Sequence, residues 1–218
     1  KQVVSLEIDR TLIPILNVTL EKQSNVRVIC GDVMRTDLAL LVKECFGEDC
    51  SSLRIAANLP YYITTDVLTK LMNELPQAQS IAVMIQKEVG DKLLSSPGED
   101  GYGPLAVMCQ YHYNVVRALD VPAACFNPPP KVDSSFMVLE RLETPYVDGG
   151  DEAVFTRLVR SAFAMRRKTL LNNLISGFAL NREQAASYLE AVGLSVQARA
   201  EELSLEDFAK LSRQLQSL

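Results

Sequence analysis

The sequence predicts an α/β fold, a parallel sheet with helical crossovers, followed by a small all-α domain. Three observations predict it: a strand-then-helix pattern recurs four times before Ser95, a Pro- and Gly-bearing linker lies near residue 145, and the apolar spacing beyond that linker is helical. With 218 residues, 48% of them hydrophobic and 22% charged, the chain can bury one large core and a smaller one.

The elements follow in order. Val3 to Glu7 reads as a strand, and Ile8 to Leu20 carries apolar Ile8, Leu12, Ile15, Leu16 and Leu20 at helical spacing. The unit repeats as Val26 to Cys30 with a helix near Thr36 to Cys45, as Leu53 to Ala57 with a helix from Thr64 to Glu74, and as Ile81 to Ile85 with Lys87 to Leu94. Such β-then-α repetition implies parallel strands, because parallel neighbours need a crossover. Ser95 to Pro104 is a loop by composition, and Leu105 to Tyr111 a helix. Two strands, Asn114 to Val121 and Ser134 to Glu140, then flank the turn Asn127-Pro128-Pro129-Pro130 as a hairpin-like sheet edge. Leu142 to Gly150 is the linker. Beyond it Val154, Phe155, Leu158, Val159 and Ala162 form one stripe, with Arg157 and Arg160 off it, and Asn181 and Ser204 are N-caps, the latter with Asp207 three residues on. The expected domains are therefore 1–143 and 144–218.

Charge and cysteine usage exclude several functions. The net charge of −5 argues against a protein that coats nucleic acid with its whole surface. The balance is uneven, with 13 basic against 18 acidic residues through Glu143 and 9 against 9 after it. Arg157, Arg160, Arg166, Arg167 and Lys168 make a local basic patch suited to RNA phosphates. The five cysteines, Cys30, Cys45, Cys50, Cys109 and Cys125, include no CxxC pair, so no zinc or other metal site is expected. His112 is the only histidine, which leaves no hydrolytic triad, and its expected role is structural. No apolar run approaches the roughly 18 residues of a membrane span and no signal-like start is present, so a cytoplasmic protein is expected.

The chemistry collects at strand ends. Glu7, Asp32 and Asn58 close three successive strands at spacings of 25 and 26 residues. Ligands of open parallel sheets bind at those carboxyl ends, where Glu7 can accept from ribose hydroxyls and Asp32 from an adenine amino group. Either carboxylate alone reads equally as a helix cap or turn residue; the regular spacing favours a site. Asn58-Leu59-Pro60-Tyr61 adds a specific capability. An adenine amine is a poor nucleophile because its lone pair is delocalised, and the Asn58 side-chain oxygen with the Leu59 carbonyl can accept its two N–H bonds and favour a pyramidal nitrogen. Tyr61 can stack on the base. The same tetrapeptide also reads as an ordinary Asn-x-Pro turn.

Taken together, Val4-Ser5-Leu6-Glu7-Ile8-Asp9, Gly31-Asp32, Asn58 to Thr65, Gln86-Lys87-Glu88-Val89, Tyr102-Gly103, Phe126 to Ser134 and Arg166-Arg167-Lys168-Thr169-Leu170 resemble the ribosomal RNA adenine N6-dimethyltransferase family, in family order. The stretches Pro130 to Ser134 and Arg166 to Leu170 look more like its KsgA/RsmA branch than its Erm branch. The resemblance implies a Rossmann-like class I methyltransferase domain and a helical C-terminal rRNA-recognition domain. It also implies S-adenosylmethionine (SAM) as cofactor, held by Glu7, Asp32 and Asn58; Asn58 and Leu59 orienting the amine beside Pro60; and Tyr61 and Phe126 sandwiching the adenine. The implied partner is small-subunit rRNA in the immature 30S subunit. By itself Phe126 reads as an apolar anchor before a proline turn.

Three other readings share these residues: a noncatalytic RNA-binding assembly factor, an Erm-type 23S rRNA methyltransferase, and an N6-adenine DNA methyltransferase. The intact Asn58-Leu59-Pro60-Tyr61 favours an enzyme, and the Arg166 to Leu170 stretch speaks against DNA. In this family a glycine-rich SAM loop lies ahead of the strand ending at Glu7, and no such loop precedes Glu7 here. The native protein is therefore expected to carry roughly 45–60 more residues before Lys1, one further β-α unit and a lead-in.

Overall fold

The computed structural model describes residues 1–48 and 50–216. The chain forms two compact units, Lys1–Ile81 and Ala82–Leu218.

In the first unit, β1 (Val3–Glu7) runs parallel to β2 (Val26–Cys30), in register from Val3 opposite Val26 to Glu7 opposite Cys30. Between them lies α1 (Leu12–Thr19), shorter than the expected Ile8 to Leu20. Its start is delayed because side chains claim the preceding amides. Glu7 Oε1 accepts from the Asp9 N–H at 2.8 Å, and Asp9 Oδ1 accepts from the Thr11 N–H at 2.8 Å and its hydroxyl at 2.6 Å. Such local side-chain bonds favour a turn over a helix. These bonds also hold the Asp9 carboxyl below its usual range, the Thr11 hydroxyl contributing most. The apolar stripe predicted for this helix is partly open: Ile8, Leu12 and Ile15 are exposed, Leu16 and Leu20 are half-buried, and α1 buries no residue fully.

α2 (Leu38–Phe46) is capped by Asp37, whose carboxylate accepts from the Leu40 N–H. β3 (Arg54–Asn58) stands outside the β1–β2 pair, and α3 (Thr64–Glu74) follows it after the short 3-10 turn Tyr61–Ile63. Leu38 and Val42 of α2 and Val67, Leu68 and Leu71 of α3 are buried and form the core of this unit. Glu74 ties the two helices, accepting from the Leu38 N–H at 2.9 Å while paired with Lys70. The Lys70 hydrogen bond, then that of Leu38, keeps its carboxyl below the ordinary glutamate range.

β4 (Ser80–Gln86) crosses from one unit into the next, with Ile81, Val83 and Ile85 fully buried at the alternation of a strand. The second unit continues with α4 (Lys87–Leu94), α5 (Pro104–His112, with proline at its first turn), β5 (Tyr113–Val121) and β6 (Ser134–Arg141). Its strand order is β4-β6-β5, and the β5–β6 pair is antiparallel, with a bulge between Arg117 and Leu119. The expected hairpin-like edge is thus observed. Four helices follow: α6 (Glu152–Ala162), α7 (Leu170–Phe178), α8 (Arg182–Ala191) and α9 (Leu205–Leu215). Asn181 and Ser204 are N-caps as expected, Ser204 closing a capping box with Asp207 as its spacing predicts and Asn181 closing another with Gln184.

The compact units do not divide after Glu143. Aromatic packing is the physical reason, since it joins both sides of that point. Tyr111 of α5 stacks on Phe155 of α6 at 3.9 Å between ring centroids, and the Tyr102 hydroxyl donates to the Leu203 carbonyl at 2.9 Å. Burial, then the carboxylates of Asp207 and Glu206, push the Tyr102 phenol up to about 12, so it stays a donor. His112 lies in this packing, 5% exposed, with Nε2 3.4 Å from Glu152 and Nδ1 buried without a hydrogen-bond partner among the described residues. Burial lowers its pKa, which favours the neutral ring of a packed core residue.

Candidate functional site

The β1–β2 register sets the first half of the site. Parallel strands in step bring Glu7 and the residues after Cys30 to the same sheet end, and the Gly31 N–H donates to the Glu7 carbonyl at 2.9 Å. At Gly31 an added Cβ would come within 2.9 Å of Leu6 Cδ1 and 3.3 Å of the Thr36 hydroxyl, so glycine lets the chain pass closely over Leu6 and turn into Asp32. Asp32 is then fixed through both its side chain and its backbone. Its Oδ1 accepts from the Met34 N–H at 2.9 Å, its carbonyl accepts from the Arg35 and Thr36 N–H groups, and Arg35 Nε lies 3.6 Å from Oδ2.

Two half-buried carboxylates therefore stand side by side at the carboxyl ends of neighbouring strands, each with one oxygen committed to a local amide. The remaining oxygens can accept from a ligand. That donor-poor, acceptor-rich pair suits hydroxyl and amino groups of a nucleoside and repels phosphate. Among the described residues no group of three or more His, Cys, Asp or Glu side chains is placed to hold a metal ion. No helix among them is long and apolar enough to cross a membrane.

Asn58 is the last residue of β3 and its side chain is exposed, as an amine acceptor must be. Leu59 turns its side chain into the core at 7% exposure, which fixes the backbone bearing its carbonyl. Pro60 (φ −58°) starts the short turn, and its carbonyl accepts from the Ile63 N–H and from the Thr64 hydroxyl, both at 3.2 Å. Tyr61 opens that turn half-buried. All six of Glu7, Asp32, Asn58, Leu59, Pro60 and Tyr61 belong to the first unit.

The other predicted residues lie in the second unit. Phe126 is half-buried and extended (φ −109°, ψ 153°), directly after the 3-10 turn Ala123–Cys125 and before the cis Asn127–Pro128 bond. Its loop is pinned from both sides. Asp133 Oδ1 accepts from the Ala123 N–H at 2.9 Å, and the Asp133 carbonyl accepts from the Lys87 N–H at 3.0 Å. Asp133 was part of a recognisable stretch, but its anchoring of an amide ten residues away has no signature in sequence.

The basic patch divides. Arg160, Arg166, Arg167 and Lys168 are exposed, the last three in the connection from α6 to α7. Arg157 is engaged by the fold: Nε and a terminal nitrogen donate to the Gly177 carbonyl at 3.1 and 2.9 Å, and the guanidinium sits 4.5 Å above the Phe178 ring. It serves the last turn of α7, where carbonyls lack partners and a cation is favourable.

The family model described as "Ribosomal RNA adenine dimethylase" matches residues 1–217. The "Ribosomal RNA small subunit methyltransferase A" of Bacillus mycoides (strain KBAB4) is 44% identical over 218 residues, covering 99% of this chain and 74% of the relative. In structure the chain is similar to a dimethyladenosine transferase from Plasmodium falciparum, with a TM-score of 0.78, 22% identity, and coverage of 99% of this chain and 82% of that one. It is also similar to the 23S rRNA methyltransferase ErmE, with a TM-score of 0.67 and the same identity and coverage. At that identity the structural likeness shows a shared fold.

Proposed function

The chain belongs to the ribosomal RNA adenine dimethylase family, and from that premise we propose that it transfers methyl groups from SAM to N6 of adenosines in small-subunit rRNA. The fold is Rossmann-like, and the protein is a SAM-dependent methyltransferase. The observation that carries the reading at the level of residues is the exposed Asn58 on a backbone fixed by Leu59 and Pro60, in the same unit as the Glu7 and Asp32 carboxylates.

The roles follow from what each group can do. The second oxygen of Glu7 would accept from ribose hydroxyls, and Asp32 Oδ2, beside Arg35, from the adenine amino group of the cofactor. SAM supplies a methyl group on a cationic sulfur that leaves as a neutral thioether. In the first transfer the Asn58 oxygen and the Leu59 carbonyl each accept one N–H of the target amine, and in the second one of them accepts the single N–H that remains, which draws the nitrogen toward a pyramid and returns its lone pair for in-line attack. Tyr61 stacks on the extruded base. No strong general base is required, because the alkylated amine is acidic and releases its proton to water. Proximity and alignment are the main catalytic contribution.

Phe126 supplies a further aromatic face to the RNA, and residues 144–218 recognise it, with Arg160, Arg166, Arg167 and Lys168 meeting phosphates and Arg157 completing α7. The natural substrate is the assembling small subunit in the cytoplasm. The reading is tested by incubating the protein with methyl-labelled SAM and immature small subunits: label enters the small-subunit rRNA. Binding without transfer of label would point instead to a noncatalytic assembly factor.

A further inference from the structure

Tyr62 is 85% exposed, more than any other large hydrophobic side chain among the described residues. Tyr61 and Ile63 on either side of it are half-buried, and nearby Leu59, Thr64 and Val67 are buried, at 7%, 1% and 1% exposure. The ring thus forgoes the stabilisation that burial of an aromatic side chain brings, and the core does not depend on it.

Its backbone is nonetheless rigid. The turn Tyr61–Ile63 is closed by the Ile63 N–H donating to the Pro60 carbonyl, bolted by the Thr64 hydroxyl to the same oxygen, and continued into α3, whose Val67, Leu68 and Leu71 are buried. A tyrosine on such a base has two side-chain torsions to fix, so it binds at low entropic cost. In a 3-10 turn successive side chains diverge by about 120°, at 3.0 residues per turn. Tyr61 and Tyr62 therefore address different groups.

We propose that Tyr62 is a second stacking face of the site, carrying the nucleobase next to the target adenosine. The inference rests on the function proposed above and names a further contact for the same RNA. When one adenosine leaves the stack, its neighbour loses a partner, and a rigid exposed ring beside the base-binding tyrosine can replace it. Aromatic stacking tolerates any base, since each has a π-face, so Tyr62 contributes affinity and alignment without reading sequence.

The test is steady-state kinetics on small-subunit rRNA hairpin transcripts with wild type, Tyr62→Ala and Tyr62→Phe. Tyr62→Ala raises KM for RNA roughly 5- to 100-fold, the loss of stacking on one base, with kcat at saturating RNA and SAM affinity within about twofold of wild type. Tyr62→Phe stays near wild type. In a hairpin with 2-aminopurine flanking the target, wild type and Tyr62→Phe quench its fluorescence on binding and Tyr62→Ala does not. An unchanged KM in Tyr62→Ala overturns the inference, as does a Tyr62→Phe defect equal to that of Ala, which would assign the effect to the hydroxyl. Absence of methyl transfer by wild type would sink the proposed function itself, so the two failures are distinguishable.

Discussion

Asn58→Ala lowers turnover by about 10²-fold or more, the cost of removing one positioned polar group from a transition state. The reason lies in when its oxygen matters. In the ground state the adenine amine is planar and the hydrogen bond to Asn58 is one of many contacts with the RNA. As the nitrogen pyramidalises its N–H bonds swing out of the ring plane, and only then is the acceptor at the end of β3 fully engaged. The loss therefore falls on kcat, with RNA affinity nearly intact. Folding is spared, because Asn58 is exposed at its strand end and Leu59 supplies the burial that fixes the chain there. Single-turnover rates at saturating RNA and SAM measure the effect; a variant with wild-type turnover would remove Asn58 from the chemistry.

The second large effect concerns RNA. Reversing two charges, Arg166→Glu with Arg167→Glu, weakens RNA binding about 10- to 100-fold at 0.1 M salt and lowers the log–log salt slope by about 1.4 to 1.8, two phosphate contacts at 0.7–0.9 each. A folding defect is not the cause. Both side chains are exposed just ahead of α7, whose first turn holds no acidic residue, and basic residues there oppose the helix dipole. Glutamates in their place favour the helix. The contact that involves Arg166 structurally is its carbonyl, which accepts from the Arg199 guanidinium at 2.6 Å and survives a side-chain change. Salt titration of RNA binding decides the matter, and an unchanged slope would make the patch a merely solvated surface.

Much of this architecture was legible in the residues, for identifiable reasons. The alternation of short apolar strands with amphipathic helices located β1 to β4 and α2 to α4 within a few residues, because both periods are dictated by burial. Asn181 and Ser204 announced α8 and α9 through a local capping reaction that needs no tertiary context. The strand-end positions of Glu7, Asp32 and Asn58 followed from the same pattern.

What stayed hidden was decided by particular side-chain contacts, some local and some long-range, that burial patterns do not announce. The helix drawn from Ile8 begins only at Leu12, because Glu7 and Asp9 take the intervening amides. The stack of Tyr111 on Phe155 joins residues on both sides of the expected linker, a contact that no periodicity announces. Arg157 reads as one more member of a basic cluster, and only the fold brings the Gly177 carbonyl under it. Tyr62 is indistinguishable from its neighbour Tyr61 on paper; burial separates them.

The central claim is that Asn58 and Leu59 present an adenine N6 amine for methylation, and mass mapping of the reacted small-subunit rRNA tests it most directly. After exhaustive reaction with SAM, nuclease digestion yields N6,N6-dimethyladenosine, with both added methyl groups on the exocyclic nitrogen. Product methylated on a ring atom or a ribose hydroxyl would contradict it.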